Sequence, residues 1–176
     1  MLTINAVMFV TEFTAGWFAE SSALIADSLD MLADAAVYSV ALYGASRGPR
    51  AQVRAATIAG ILQGALALGA VGDVVRRVIV GSSPEAAYMI AISVIALAAN
   101  VWCLRVIGRH RDAGVHMTAS WIFSQNDVMV NSSVIVGGVL VAVTGTPAWD
   151  LVLGVAIALM VFSSAARILR AARSAN

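Results

Sequence analysis

The chain has 176 residues, is 60% hydrophobic and only 12% charged, and carries a formal net charge of +1; its mean hydropathy is +0.87. A soluble domain is about 25% charged, so this composition excludes an ordinary water-soluble fold and points to an integral membrane protein. No nucleic-acid partner is expected, and the single cysteine, Cys103, excludes a disulfide within the chain.

Apolar runs of about 20 residues, the length that crosses a bilayer as a helix, recur from end to end. They predict six spans, at 2–18, 22–45, 52–75, 85–107, 117–143 and 149–170. The first starts almost at Met1 with no basic segment ahead of it, and reads as a short span rather than a signal peptide. After the tight turn "AESS", the second span contains "ADSLDMLADA", in which Asp27, Asp30 and Asp34 follow at spacings of three and four. The third holds Gly60 and Gly64, a pair suited to close helix approach, expected to serve packing within the chain. It ends near Asp73, which precedes Arg76 and Arg77 by three and four residues and is expected to pair with them at the interface. Pro84 suits the first turn of the fourth span. The fifth carries "FSQNDVMVN", centred on Asp127. The connections are short, so neighbouring helices are antiparallel. Residues 1–176 read as a single transmembrane domain, an all-α bundle of six helices, with no soluble domain after it.

All eleven basic residues are arginines, and nine of them fall on one side of these spans: Arg47, Arg50, Arg54, Arg105, Arg109, Arg111, Arg167, Arg170 and Arg173. The positive-inside rule makes that side cytoplasmic, together with both termini. His110 and His116 lie in this arginine-rich loop region and are expected to be exposed. The scattered methionines read as packing and lipid contact. The expected location is the cell (inner) membrane, as a multi-pass protein.

Three aspartates in one apolar span need a reason, because each costs roughly 2.5–3.5 kcal/mol on insertion scales. At 100° per residue, Asp27, Asp30 and Asp34 fall within about 60° of one another on the helix. Asp30 and Asp34 are adjacent turns of one face. Two neighbouring carboxylates repel unless a cation or a proton joins them, so the pair is suited to holding and exchanging either. Asp127 has Asn126 beside it and Asn131 one turn later, and a carboxylate with amide oxygens is a reasonable donor set for a divalent cation. The candidate metal-ligating residues are therefore Asp30, Asp34, Asp127 and Asn126, with Asp27 and Asn131 as further candidates. Glu12, Gln63 and Asn100 are also expected to be buried, as interhelical hydrogen-bond partners or as parts of a proton route.

The run "SSALIADSLDMLADA" resembles the second helix of the cation diffusion facilitator family, with Asp30 and Asp34 at its two ligand positions. "ASWIFSQNDVMVN" is similar to that family's fifth helix, with Asp127 at the second ligand position and Phe123 at the first. Asn5, Glu12, Gly16 and Asn100 also stand where the family has similar residues. The resemblance implies a divalent metal efflux transporter, exchanging metal for protons by alternating access about a midplane site on the second and fifth helices, and usually a homodimer. No catalytic residues and no resident cofactor are implied. Phe123 cannot coordinate metal, which sets this chain in a branch with Asn-Asp in the fifth helix and leaves one ligand to be replaced. Oxygen donors suit Mn²⁺, while the family precedent favours Zn²⁺, Cd²⁺, Co²⁺ or Fe²⁺. Two other readings fit parts of the pattern. The aspartate spacing resembles a membrane prenyltransferase holding Mg²⁺ against a diphosphate, and a degenerate exporter fold would make a non-transporting membrane subunit.

Overall fold

The computed structural model describes residues 2–45, 47–108 and 115–174. They form six helices: α1 (Leu2–Phe18), α2 (Ser22–Ala45), α3 (Pro49–Val80), α4 (Ala86–Gly108), α5 (Val115–Thr144) and α6 (Ala148–Ser174). The all-helical class is as expected. Helices α3 to α6 are each long and apolar enough to cross a membrane. Helix α1 has 17 residues, about the minimum for a crossing, and the 24-residue α2 is continuous but carries three aspartates in its apolar run. His110, Arg109 and Arg111 lie outside the described residues, as does the side chain of His116.

Helices run past the apolar stretches that predicted them, because backbone hydrogen bonding continues through the interface after hydropathy has fallen. Helix α3 shows this at both ends. Pro49 stands in its first turn, where a missing N–H costs nothing. At the other end Arg76 and Arg77 stay helical, both bonded to Asp73, at 2.8 and 2.7 Å. Gly81 then stops the helix at φ +89°, a conformation side chains rarely adopt, and donates its N–H to the Arg77 carbonyl. Helix α6 likewise continues to Ser174. Pro84 stands two residues ahead of α4 instead of in its first turn: the N–H groups of Tyr88 and Met89 bond back to the Glu85 carbonyl, making Glu85 the residue that starts the helix.

Helix α2 is the axis of the bundle. It packs on α1, α3, α5 and α6, with α3 against α6 and α4 against α5 forming the other extensive pairs. Residues 21–28 are all buried. The apolar core is built from small side chains, among them Ala23, Ala26, Ala67, Ala70 and Ala158, filled in by Leu24, Met89 and Val134. Small residues bring helices close where no hydrophobic effect separates protein from lipid. Gly16 shows how close: a Cβ there would meet the Leu24 Cβ at 2.9 Å. Gly60 likewise lies against Leu169 and Gly64 against Ala165, so the glycine pair of α3 serves packing on α6. The outer surface is apolar, with Ile58, Ile61, Leu68, Val78, Trp102, Val143 and Phe162 all exposed. Polar groups are inside and apolar ones outside, as a hydrocarbon solvent requires.

The arginine-rich ends of α3, α4 and α6 define a basic end of the bundle. At the far end, buried Asp150 of α6 accepts three hydrogen bonds from the start of α2: Ser21 Oγ at 2.6 Å, Ser22 N–H at 2.6 Å and Ala23 N–H at 3.0 Å. Two of these donors are helix N-terminal amides with no partner inside their own helix. Ser22 Oγ and Asp73 Oδ2 lie 3.2 Å apart, and Arg77 is buried between Asp73 and the Gly16 carbonyl. One polar net thus ties α1, α2, α3 and α6 together.

Candidate metal site

Along the first half of α2 the treatment of acids changes. Asp27 is 0% exposed, Asp30 6% and Asp34 3%, and from α5 Asp127 is 1% exposed. Their spacing places the three α2 carboxylates on one face, and α5 is among the helices that touch α2. Asp34 lies within electrostatic reach of both Asp30 and Asp127, and Asp127 within reach of Asp30. The structure therefore brings Asp30, Asp34 and Asp127 into one neighbourhood. Asp27 shares it, facing Glu12, Asp30 and Asp127.

Their oxygens are poorly served. Both carboxylate oxygens of Asp27 and Oδ2 of Asp127 are buried with no hydrogen-bond partner. Asn131 donates its Nδ2–H₂ to the Asp127 carbonyl at 2.9 Å, which leaves its Oδ1 buried and without a partner. That side chain is held as an oxygen donor. Asn126, one residue before Asp127 and so about 100° around the helix, is only half-buried. Among the described residues no three His, Cys, Asp or Glu side chains are drawn together tightly enough to form a metal cage. The carboxylates are gathered at electrostatic rather than ligating distance.

Phe123 does what its chemistry allows. Its ring meets Tyr38 of α2 edge-on, with centroids 6.0 Å apart and planes at 80°. Tyr38 follows Asp34 by one turn and Phe123 precedes Asp127 by one turn, so the ring pair joins α2 to α5 on the basic-end side of the carboxylates.

The neighbourhood is wider than the candidate set. Glu12 of α1 is 0% exposed, has both oxygens unpartnered, and lies within electrostatic reach of Asp127 and Asp30. Asn5 on α1 and Ser93 and Asn100 on the adjacent α4 are also 0% exposed with unpartnered side-chain atoms. Ser124, one turn before Asp127, is buried in the same state. Ser93 and Ser124 escape a reading by residue type, since serine is common in membrane helices. The signal for Ser93 is its spacing: Asn5 with Glu12, and Ser93 with Asn100, each recur at seven residues, which is two turns of one helical face. A cluster of buried carboxyls must have its charge balanced by protons or by a cation. Reversible uptake of both is the chemistry this arrangement allows.

Six antiparallel helices enclosing acidic groups within an apolar exterior define an integral membrane transport domain. The cation efflux transmembrane domain family matches residues 1–175, and the chain belongs to that family, which is one of transporters and not of enzymes. Two similar proteins are the zinc transporters ZitB of Yersinia pestis and of Yersinia pseudotuberculosis serotype I (strain IP32953). Each is 23% identical over 180 residues, a match covering 95% of this chain and 58% of the relative. The chain thus spans little more than half the length of these relatives.

Proposed function

We propose that this chain moves a divalent metal ion out of the cytoplasm in exchange for protons, by alternating access about Asp30, Asp34 and Asp127. The observation that carries the reading is the burial of carboxylates from α2 and α5 within electrostatic reach of one another. Asn131 Oδ1 and Asp27, whose buried oxygens have no partner, are candidates to replace the ligand lost at Phe123, as is the half-buried Asn126. Metal arriving from the basic end displaces protons from the carboxylates; closure of that end and separation of the far-end net then expose the site to the other side. On this reading the metal is the transported substrate and no resident cofactor is needed. The six helices act as one transmembrane unit, with both termini cytoplasmic, in the cell membrane, and two copies pair as a homodimer. The relatives named as zinc transporters favour Zn²⁺, while the all-oxygen donor set also suits Mn²⁺.

The test is metal-driven proton movement in proteoliposomes, across Zn²⁺, Mn²⁺, Fe²⁺, Co²⁺ and Cd²⁺. Wild-type protein is expected to move protons with at least one of them. Asp34→Ala and Asp127→Ala are each expected to abolish the signal. Undiminished flux in both variants overturns the site, and no flux with any metal in the wild type leaves a non-transporting subunit as the better account.

A further inference from the structure

A second polar feature lies at the basic end, away from the carboxylates. A cavity of about 720 Å³ opens between the end of α2 and the start of α3, lined among others by Ser39, Tyr43, Arg47, Arg50, Arg54 and Ile58. Tyr43 lies nine residues beyond Asp34 on the same helix, about 13 Å along its axis, so the cavity is separate from the carboxylate cluster. We propose that this cavity binds the phosphate-bearing headgroup of an anionic phospholipid.

Three observations support an anion. First, three guanidinium groups line one cavity. Arg50 and Arg54 are four apart and share a face of α3, and both also line a further hollow of about 610 Å³ with Val53, Thr57 and Ile58. Second, among the described residues none of the three pairs with a carboxylate, whereas Arg76 and Arg77 share Asp73. Three arginines facing one space repel unless an anion joins them. Third, Arg47 is already positioned: its guanidinium stacks over the Tyr43 ring at 3.9 Å from the centroid and hydrogen-bonds the Tyr43 hydroxyl. Stacking uses the face of the guanidinium and leaves edge N–H groups for oxygen. The cavity also adjoins the N-terminal end of α3, where Gly48 supplies no side-chain cap and the helix dipole favours negative charge.

What selects a lipid over free phosphate is the wall. Ile58 lines the cavity and is 63% exposed, and Ile61, three residues further along α3, is 60% exposed. These side chains continue from the arginines onto the apolar outer flank, the path an acyl chain takes from a headgroup held at the interface. Basic pockets between helices are suited to such headgroups.

The test compares retention of phosphatidylglycerol and phosphatidylcholine on purified protein by native mass spectrometry, with inorganic phosphate as a competitor. Each arginine near the headgroup is expected to contribute about fivefold. The Arg50→Gln/Arg54→Gln variant should therefore lose phosphatidylglycerol retention by about 25-fold, while Arg167→Gln/Arg170→Gln on α6 keeps it. Arg54→Gln alone, on an exposed position, should give about a fivefold loss and serves if the double variant does not fold. Equal losses from the α3 and α6 variants overturn the site, and so does unchanged retention in both α3 variants. Displacement of the lipid by millimolar inorganic phosphate overturns the assignment to a lipid.

Discussion

The bundle holds two groups of acids and treats them in opposite ways. At the far end Asp150 and Asp73 are saturated: serine hydroxyls, the first amides of α2 and two arginines meet them at 2.6 to 3.2 Å. Deeper in the bundle, Asp27 and Glu12 have no partner for any carboxylate oxygen, and Asp127 none for Oδ2. The first group holds the fold together, because its carboxylates satisfy helix-end amides and hydroxyls that would otherwise be orphaned. The second cannot, since each unpartnered buried polar group costs about 1–3 kcal/mol. Acids left bare beside a set so completely provided for are what the proposed exchange of metal and protons requires.

The sharpest break of this comparison is to remove one acid from each group. Asp127→Ala is expected to abolish metal-driven proton flux while leaving the thermal unfolding midpoint of the purified protein near the wild-type value. Asp150→Ala should do the reverse to stability: three donors at the start of α2 are orphaned, for a loss of about 3 kcal/mol, read as a lower midpoint in detergent. If Asp127→Ala unfolds earlier than Asp150→Ala, the division between the two groups is wrong.

A smaller effect should appear in metal affinity measured calorimetrically against pH. Metal and protons compete for the same carboxyls, so affinity rises with pH and falls as acid refills them, by about tenfold per pH unit for each proton displaced. An affinity flat between pH 6 and 8 would place the metal elsewhere. The smallest expected effect separates the two arginines on Asp73. Arg76 has a side chain 50% exposed, and Arg76→Ala should cost no more than about 0.5 kcal/mol. Arg77→Ala, at a buried position, should cost several times as much by the same thermal measurement.

Much of the architecture was readable from composition alone, since runs of apolar residues in lipid leave few alternatives to a helix. The acids of α2 were readable for the same reason, being too costly to be accidental. What hydropathy could not supply was the partner of each polar group. Asp150 follows "TGTPAW" as an unremarked turn residue, and its role depends on a contact with Ser22, 128 positions away. Glu12 was visible as a buried acid, yet its proximity to Asp30 and Asp127 needed the packing of α1 on α2. Phe123 was readable only as a missing donor, and its contact with Tyr38 required both helices in place.

That ring pair bears on leakage. An exchanger that lets water form a continuous file through its centre becomes a proton wire and dissipates the gradient it draws upon. Phe123 and Tyr38 meet edge-on one turn from the carboxylates, on the side of the basic end. A histidine or aspartate at position 123 would offer protons a relay there; a phenyl ring offers none. On the proposed exchange mechanism, the side chain that leaves the metal site short of one ligand also removes one stepping-stone from the path of an uncoupled proton.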